Sequence, residues 1–170
     1  SYDMLGEAAR TDHDAQRYYN SYSDAIDSIA KHCSGDVRKN PGISVKLSAL
    51  LSRYEYGNKD RVMKELVPRA KRLVRKAAAA NMGFNIDAED QDRLDLSLDV
   101  IEALLSDPDL AGWNGFGVVV QAYGKRASFM LDWLYGIAEK YDRRIMVRLV
   151  KGAYWDAEIK RGQVMGLDGF

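Results

Sequence analysis

The chain has 170 residues, of which 46% are hydrophobic, and its 25 basic and 25 acidic side chains cancel. This length predicts one globular domain, residues 1–170, and the balanced charge gives no electrostatic case for binding nucleic acid or an anionic membrane surface. Cys33 is the single cysteine, which excludes an intrachain disulfide and fits a reducing compartment. No apolar run is long enough to span a bilayer, and the first ten residues lack the features of a signal peptide.

Short apolar runs recur along the chain and predict β-strands. The start, "SYDMLGEA", is a weak strand candidate, and the stronger runs occupy residues 43–48, 84–89, 117–123 and 145–154. Their apolar and partly β-branched composition is typical of strands in a parallel sheet that is covered on both faces.

Amphipathic segments separate these runs and predict four helices, over residues 12–31, 59–80, 91–105 and 126–140. Thr11 and Asp14 resemble a capping box at the start of the first helix. Pro68 predicts a kink or a division in the second helix. Asp107-Pro108 predicts the end of the third. No terminal helix is predicted after the fifth strand.

Alternating strands and helices predict a parallel α/β sheet with right-handed crossovers. A doubly wound open sheet and a (β/α)₈ TIM-type barrel both fit this order. No G-x-G-x-x-G sequence follows the first strand, which counts against a dinucleotide-binding domain. A whole barrel needs roughly 250 residues, so we expect this chain to supply about the first five β/α units.

Each predicted strand is apolar first and polar last. In a barrel the active site lies at the carboxyl ends of the strands, so we expect these polar residues to converge. They are Glu7, Lys46, Ser48, Asp87, Glu89, Gln121, Tyr123, Arg148, Lys151, Tyr154 and Trp155. Arg148 stands out because it lies within an apolar strand, and a guanidinium is costly to bury without a partner.

A structural role is open for every one of these residues. Lys46 alternates with apolar neighbours and could point outward, and Asp87 could cap the following helix. Gln121 could satisfy backbone groups, and Glu7 could pair with any nearby base. Tyr154 and Trp155 could pack only against the end of the sheet. Arg148 could pair with Asp87 or Glu89 without any ligand.

Other residue clusters do not predict a site. His13 and His32 lie in helical segments without a companion at metal-ligand spacing, so we predict no metal site. Cys33 is interpreted as inert. A basic stretch within residues 69–76 is interpreted as a solvated helix face, so we predict no nucleic-acid partner.

Taken together, the strand-end residues suit a large, partly anionic aromatic ligand with a small charged substrate. Arg148 can donate paired hydrogen bonds, and Gln121 can both donate and accept. Gly152 and Ala153 would let a ligand approach the backbone. Lys46 suits a carboxylate, and Trp155 can stack on a planar ring.

Five segments carry a resemblance to a known family. "SYDMLGEAA", "GISVKLSAL", "NIDAED", "VVVQAY" and "RLVKGAYWDAEIKR" resemble the proline dehydrogenase domain of the bacterial bifunctional proline utilization flavoproteins. The segments follow the family's order along essentially all 170 residues, and the last one is highly specific.

This resemblance implies a distorted (β/α)₈ barrel that binds FAD non-covalently and oxidises L-proline to Δ1-pyrroline-5-carboxylate. Hydride would pass to the flavin N5, and electrons would pass to a membrane quinone. It also implies a cytoplasmic protein able to dock peripherally on the inner membrane, with a glutamate semialdehyde dehydrogenase domain elsewhere in the same polypeptide.

The resemblance also implies residue roles. Arg148, Asp87 and Lys46 would be catalytic, with Arg148 near flavin N5 and Lys46 pairing with the proline carboxylate. Tyr154, Ala153 and Glu7 would line the substrate, Glu7 through an ion pair with one of two substrate-binding arginines. The flavin would be lined by Asp87, Ala88, Val119, Gln121, Arg148, Val150, Lys151, Gly152, Ala153 and Trp155.

One departure bears on this interpretation. The family's paired carboxylate-binding arginines lie on its last helix, beyond this chain, so we expect an incomplete pocket with two open sheet edges. Two alternatives stay open. Lys46 or Lys151 could form a Schiff base, as in class I aldolases, or the chain could be a non-catalytic half-barrel scaffold.

Overall fold

A computed structural model describes residues 1–168 as one parallel sheet with helices against it. The strands are β1 (Tyr2–Asp3), β2 (Gly42–Val45), β3 (Gly83–Ile86), β4 (Phe116–Gln121) and β5 (Met146–Val150). They pair in chain order, β1-β2-β3-β4-β5, and every pair is parallel. The predicted α/β class with a parallel sheet is therefore confirmed.

Of the six α-helices within residues 1–168, five lie in the predicted helical segments. They are α1 (Asp12–Ala30), α2 (Lys59–Arg61), α3 (Val67–Ala79), α4 (Leu94–Leu105) and α5 (Ala127–Tyr141). The Thr11 hydroxyl accepts a hydrogen bond from the Asp14 amide while the Asp14 carboxylate accepts one from the Thr11 amide, which confirms the capping box.

Pro68 divides the second predicted helix as expected. It lies in the first turn of α3, where its missing N–H costs little, and a π-helical turn, Val62–Leu66, joins α2 to α3. The predicted apolar face is buried: Val62, Leu66, Leu73 and Ala77 are fully enclosed.

A sixth helix, α6 (Trp155–Met165), was not predicted. Only Glu158 and Gly162 are buried on it, so it has almost no apolar face for periodicity to reveal. The fifth strand also ends at Val150 instead of residue 154, because Gly152 and Tyr154 take positive φ values that a strand cannot accommodate.

The core lies between β2–β4 and the helices α1, α3 and α4. All six residues of β4 are buried, whereas four of the five residues of β5 are exposed. The expectation that residues 146–150 form a buried strand is therefore wrong. In the described residues β5 has a neighbour, β4, on one side only, so its side chains are covered less.

Candidate active site

The carboxyl ends of the strands meet at an open cleft of about 520 Å³. This volume is typical of small-molecule sites. The predicted residues that line it are Glu7, Lys46, Asp87, Ala88, Val119, Gln121, Arg148, Val150, Gly152, Ala153 and Tyr154. Asp3 lines it as well. Parallel pairing brings these side chains together, because it places every strand's polar end at one edge of the sheet.

Asp87 lies at the centre of the polar wall, one residue beyond β3. Its Oδ1 accepts a hydrogen bond from Arg148 Nη2 at 2.6 Å, and its Oδ2 accepts one from Lys46 Nζ at 3.0 Å. Its backbone N–H donates to the Val45 carbonyl at 3.0 Å, which fixes it beside β2. Asp87 does not cap the following helix, because both carboxylate oxygens are directed to these two cations.

Lys46 points into the cleft, so the alternative that it points outward is wrong. Its ammonium bonds to Asp3 Oδ1 at 3.1 Å as well as to Asp87, and its side chain is 18% exposed. Burial disfavours the charge on Lys46, but the hydrogen bonds from its ammonium to Asp87 and Asp3 outweigh this and raise its pKa. Lys46 is therefore held as a cation, which suits pairing with a carboxylate.

Arg148 projects from β5 across the sheet. Its Nη1 lies 3.3 Å from the Ser44 hydroxyl on β2, while Nη2 holds Asp87. The side chain is 44% exposed, so the guanidinium keeps part of its contact with water. The desolvation cost is therefore smaller than that of the fully buried arginine expected from the sequence. Among the described residues its ion-pair partner is Asp87 and not Glu89. This agrees with one of the two ligand-free pairings considered in the sequence analysis.

Gln121, at the end of β4, bonds to backbone at both ends of its amide. Nε2 donates to the Glu89 carbonyl at 2.8 Å, and Oε1 accepts from the Ala153 N–H at 2.6 Å. Gln121 therefore hydrogen-bonds to backbone groups, as the structural alternative proposed. Gln121 joins the loop after β3 to the loop after β5, and each amide end keeps one further hydrogen-bonding position.

Glu89 is a second buried carboxylate beside this bridge. It accepts a hydrogen bond from the Ser48 N–H at 3.0 Å and lies 3.4 Å from Arg93. Burial raises its pKa above the ordinary glutamate value. Its contacts fasten the turns after β2 and β3 to each other.

The loop after β5 has a backbone shape that its sequence explains. Gly152 has φ +145°, and a Cβ there would overlap the Tyr123 ring. Tyr123 in turn donates from its hydroxyl to the Ala153 carbonyl at 3.0 Å. The Tyr123 ring and the positive φ therefore explain why residue 152 is glycine without any ligand. The close approach of a ligand to Gly152 and Ala153 stays a prediction.

Tyr154 ends this loop in the left-handed region, with φ +62°, just before α6. Its hydroxyl donates to Glu7 Oε2 at 3.0 Å and so joins the loop after β5 to the segment after β1. Burial, together with the nearby Glu89 and Glu7 carboxylates, raises the pKa of Tyr154. Tyr154 therefore stays a neutral phenol at physiological pH.

Five predicted strand-end residues lie outside the cleft lining: Ser48, Glu89, Tyr123, Lys151 and Trp155. The last two also have a predicted flavin contact. Trp155 begins α6 and meets the Tyr123 ring edge-on, with centroids 5.5 Å apart. Lys151 is exposed at the end of β5. Their predicted flavin contacts therefore depend on a ligand that extends beyond this cleft.

Sequence reasoning missed Asp3 and Glu158. Asp3 follows Tyr2 in a strand of only two residues, and the polar ending of that strand was the available signal. Glu158 is 4% exposed and accepts a hydrogen bond from the Gln91 N–H at 2.7 Å, tying α6 to the turn after β3. No pattern in the sequence marks Glu158 as buried.

Two negative findings apply to residues 1–168. No group of three or more histidine, cysteine, aspartate or glutamate side chains is arranged to hold a metal ion. None of the helices there combines the length and apolar character that a bilayer crossing requires.

The profile of the family described as "Proline dehydrogenase" matches residues 1–170. The bifunctional protein PutA of Klebsiella aerogenes is 56% identical over 171 residues, which cover 100% of this chain and 13% of that protein. PutA of Rhizobium meliloti is also 56% identical, over 170 residues that cover 100% of this chain and 14% of that protein. The chain thus spans about one seventh of these relatives.

Solved structures give the same relationship. PutA of Bradyrhizobium japonicum superposes with a TM-score of 0.96 at 55% identity, covering 99% of this chain and 18% of that one. PutA of Bdellovibrio bacteriovorus, inactivated by N-propargylglycine, superposes with a TM-score of 0.86 at 30% identity, covering 97% and 18%.

Proposed function

Because the chain belongs to the proline dehydrogenase family, we propose that it forms one wall of the site for FAD-dependent oxidation of L-proline to Δ1-pyrroline-5-carboxylate. The observation that carries this proposal is the continuous ion-pair chain Lys46–Asp87–Arg148 along the cleft. It places two fixed cations, 18% and 44% exposed, where a carboxylate and an aromatic ring that gains negative charge on reduction would be recognised.

We further propose that the sheet is part of a (β/α)₈ barrel. Arg148 on β5 reaches Ser44 on β2, three strands away. In a flat sheet those strands would be ~14 Å apart, farther than an arginine and a serine side chain together span. The contact therefore supports a sheet curled toward its carboxyl-end cleft, as in a barrel wall.

The cleft residues fit an isoalloxazine ring. Ala88, Val119 and Val150 supply an apolar surface, and Arg148 and Gln121 supply donors beside it. These residues, with Asp87, Lys151, Gly152, Ala153 and Trp155, would hold FAD. When bound, FAD would supply the acceptor for the hydride from the proline ring carbon next to nitrogen, and the electrons would then pass to a membrane quinone.

The chain's own residues would orient L-proline against that acceptor. Lys46 would pair with the substrate carboxylate, since hydrogen bonds already hold it as a cation. The Tyr154 ring and Ala153 would pack on the substrate ring, and Glu7 would fix Tyr154 through its hydroxyl. Asp87 would keep Lys46 and Arg148 at a set separation. Such positioning lowers the entropic cost of reaching a reactive geometry.

We also propose that the chain is one domain of a longer bifunctional polypeptide. The support is that it covers only 13% of the PutA proteins it resembles. The glutamate semialdehyde dehydrogenase domain, the carboxylate-binding arginines and a peripheral membrane contact would lie in the other parts of a cytoplasmic protein. Glu7 would pair there with one arginine, in addition to its bond with Tyr154.

The two alternatives have less support. A Schiff-base lysine must be uncharged to attack a carbonyl, yet the environment of Lys46 stabilises its ammonium form. Lys151 is exposed and does not line the cleft. A non-catalytic scaffold has no need for two cations that face an open cleft.

The deciding experiment is anaerobic visible absorbance of the full-length polypeptide before and after L-proline. We expect a yellow protein whose flavin absorbance near its visible maximum bleaches when proline is added. A protein that stays colourless after incubation with FAD would reject the proposal. Borohydride trapping with a carbonyl substrate would then test the Schiff-base alternative.

A further inference from the structure

We infer that Asp3 competes with the substrate carboxylate for Lys46 and thereby sets how strongly the site selects for a carboxylate. This inference rests on the proposed function. The observation is that Lys46 Nζ already contacts two carboxylates, Asp3 Oδ1 at 3.1 Å and Asp87 Oδ2 at 3.0 Å. A substrate carboxylate at Lys46 must therefore share the ammonium with both or displace one.

Of the two carboxylates that contact Lys46, Asp3 is the one that a ligand can displace. The Asp87 side chain is only 7% exposed and is also held by Arg148, so removing its charge would leave the Lys46 and Arg148 cations side by side without a shared counter-charge. The Asp3 side chain is 63% exposed and lies on a two-residue edge strand, and Lys46 is its ion-pair partner. Water can replace Lys46 as the hydrogen-bond partner of Asp3 with little loss of free energy, because exposed ion pairs are weak.

The charges around the cleft point the same way. Three carboxylates line it, Asp3, Glu7 and Asp87, against two cations, Lys46 and Arg148. A ligand carboxylate adds a further negative charge next to Asp3. Neutralising Asp3 would remove both the competition for the ammonium and this like-charge repulsion.

A positively charged ligand without a carboxylate would respond differently. L-Prolinamide has the same ring and ammonium group as L-proline but offers Lys46 a neutral amide. Removing the Asp3 charge should not tighten its binding, because it gains no ion pair with Lys46. The ratio of the two affinities therefore isolates competition at Lys46 from any general change in the cleft's field.

The test compares the full-length parent protein with Asp3→Asn, which keeps the size of the side chain and removes its charge. The dissociation constant for L-proline is taken from the concentration dependence of anaerobic flavin reduction in stopped flow, and that for L-prolinamide from its competition with L-proline. KM and kcat are measured for L-proline. We expect proline to bind about two- to fivefold more tightly, the range for a partly exposed ion pair, with prolinamide binding no more tightly. KM should fall while kcat is unchanged.

Two further variants complete the design. Asp3→Glu retains the charge and should keep the parent's preference for proline over prolinamide. Asp24→Asn removes one negative charge from an exposed position on α1 and should change neither affinity.

Unchanged or weaker proline binding by Asp3→Asn would overturn the inference, since Asp3 would then be positioning Lys46 or attracting the substrate ammonium. An equal gain for prolinamide would overturn it too. If the parent protein binds no proline at all, the proposed function fails, and this inference fails with it. That outcome is recognised in the parent before any variant is compared.

Discussion

Two buried aspartates occupy opposite ends of the sheet, and each is bonded to arginine or lysine. The open cluster, Asp87 with Lys46 and Arg148, lies at the carboxyl ends of the strands and lines the cleft. The closed cluster, Asp107 with Arg75 and Arg143, lies in the connection between α4 and β4, at the amino ends. Both contain a nearly inaccessible carboxylate.

The two clusters differ in what remains available to a ligand. In the closed cluster, Arg75 holds both Asp107 oxygens at 2.8 and 3.0 Å, the Asp109 N–H donates to one of them, and Arg143 donates to the Asp107 carbonyl. In the open cluster the cations face a cleft of about 520 Å³. A buried ion pair by itself thus indicates no function, whereas one whose cations border a cleft does.

Arg148→Met should produce the largest difference between the two clusters, because it should impair flavin reduction much more than stability. It removes a charged donor from the proposed site, so proline-dependent flavin reduction should fall by about 100-fold or more. Because Arg148 is partly exposed, the free energy of unfolding should change by no more than about 1 kcal/mol. Stopped-flow absorbance and urea unfolding of the full-length polypeptide measure the two effects.

Arg144→Met is the matched control for this variant. It makes the same chemical change at an exposed arginine four residues earlier and should leave flavin reduction intact. If Arg148→Met reduced flavin at the parent rate while unfolding far more easily, the open cluster would be structural like the closed one.

Asp107→Asn should show the opposite pattern. It weakens a two-pronged pair in which the carboxylate is 1% exposed, so we expect a loss of about 2 kcal/mol in unfolding free energy. The affinity for L-proline should not change. Asp109→Asn is the matched control, because it contacts the same Arg75 but is 61% exposed and should cost under ~0.5 kcal/mol.

The stability lost in Asp107→Asn should depend on pH in a defined direction. Hydrogen bonds from Arg75 lower the pKa of Asp107 below its ordinary value of 3.8. The group therefore contributes stability that is fully present above that value and lost as pH falls through the lowered pKa. Urea unfolding should give a constant difference between parent and variant from pH 8 to about pH 5, shrinking below pH 4. A difference that grows on acidification would contradict this assignment.

The smallest expected effect concerns backbone strain at the two ends. Asp142, after α5 at the closed end, and Tyr154, at the open end, both have left-handed φ values, +50° and +62°. Asp142→Gly should stabilise the protein by about 0.5–1 kcal/mol without affecting proline binding. Tyr154→Gly should instead weaken proline binding, because it removes the ring and the bond to Glu7. Equal effects of the two substitutions on proline binding would show that the Tyr154 side chain has no link to the site.

The strand and helix order could be read from the sequence because apolar periodicity is a local property. Strand ends were placed two to four residues too late: residues 46–48 and 87–89 continue the polar–apolar pattern after pairing stops at Val45 and Ile86. The residue pattern continues into the turns, whereas the paired register of β2 and β3 ends at Val45 and Ile86.

The candidate site was also largely readable, since eleven predicted residues line one cleft. The misses share one cause. Asp3 and Glu158 are defined by contacts over 43 and 67 residues of sequence, which no local pattern encodes. The Arg148–Asp87 pair spans 61 residues, and the sequence offered it only as one of two alternatives. The roles of these residues in binding proline or FAD stay predictions.

By itself the sequence determined the alternation of strands and helices, the capping box of α1, the polar ends of the strands and membership of the proline dehydrogenase family. The first three depend on residue type and spacing alone, whereas the family was indicated by a resemblance and is shown by the match over residues 1–170. Only the tertiary structure decided that Asp87 holds Lys46 and Arg148 together, that Asp3 shares Lys46, and that β5 is exposed. Those outcomes follow from which strands become neighbours and from hydrogen bonds between residues far apart in the sequence.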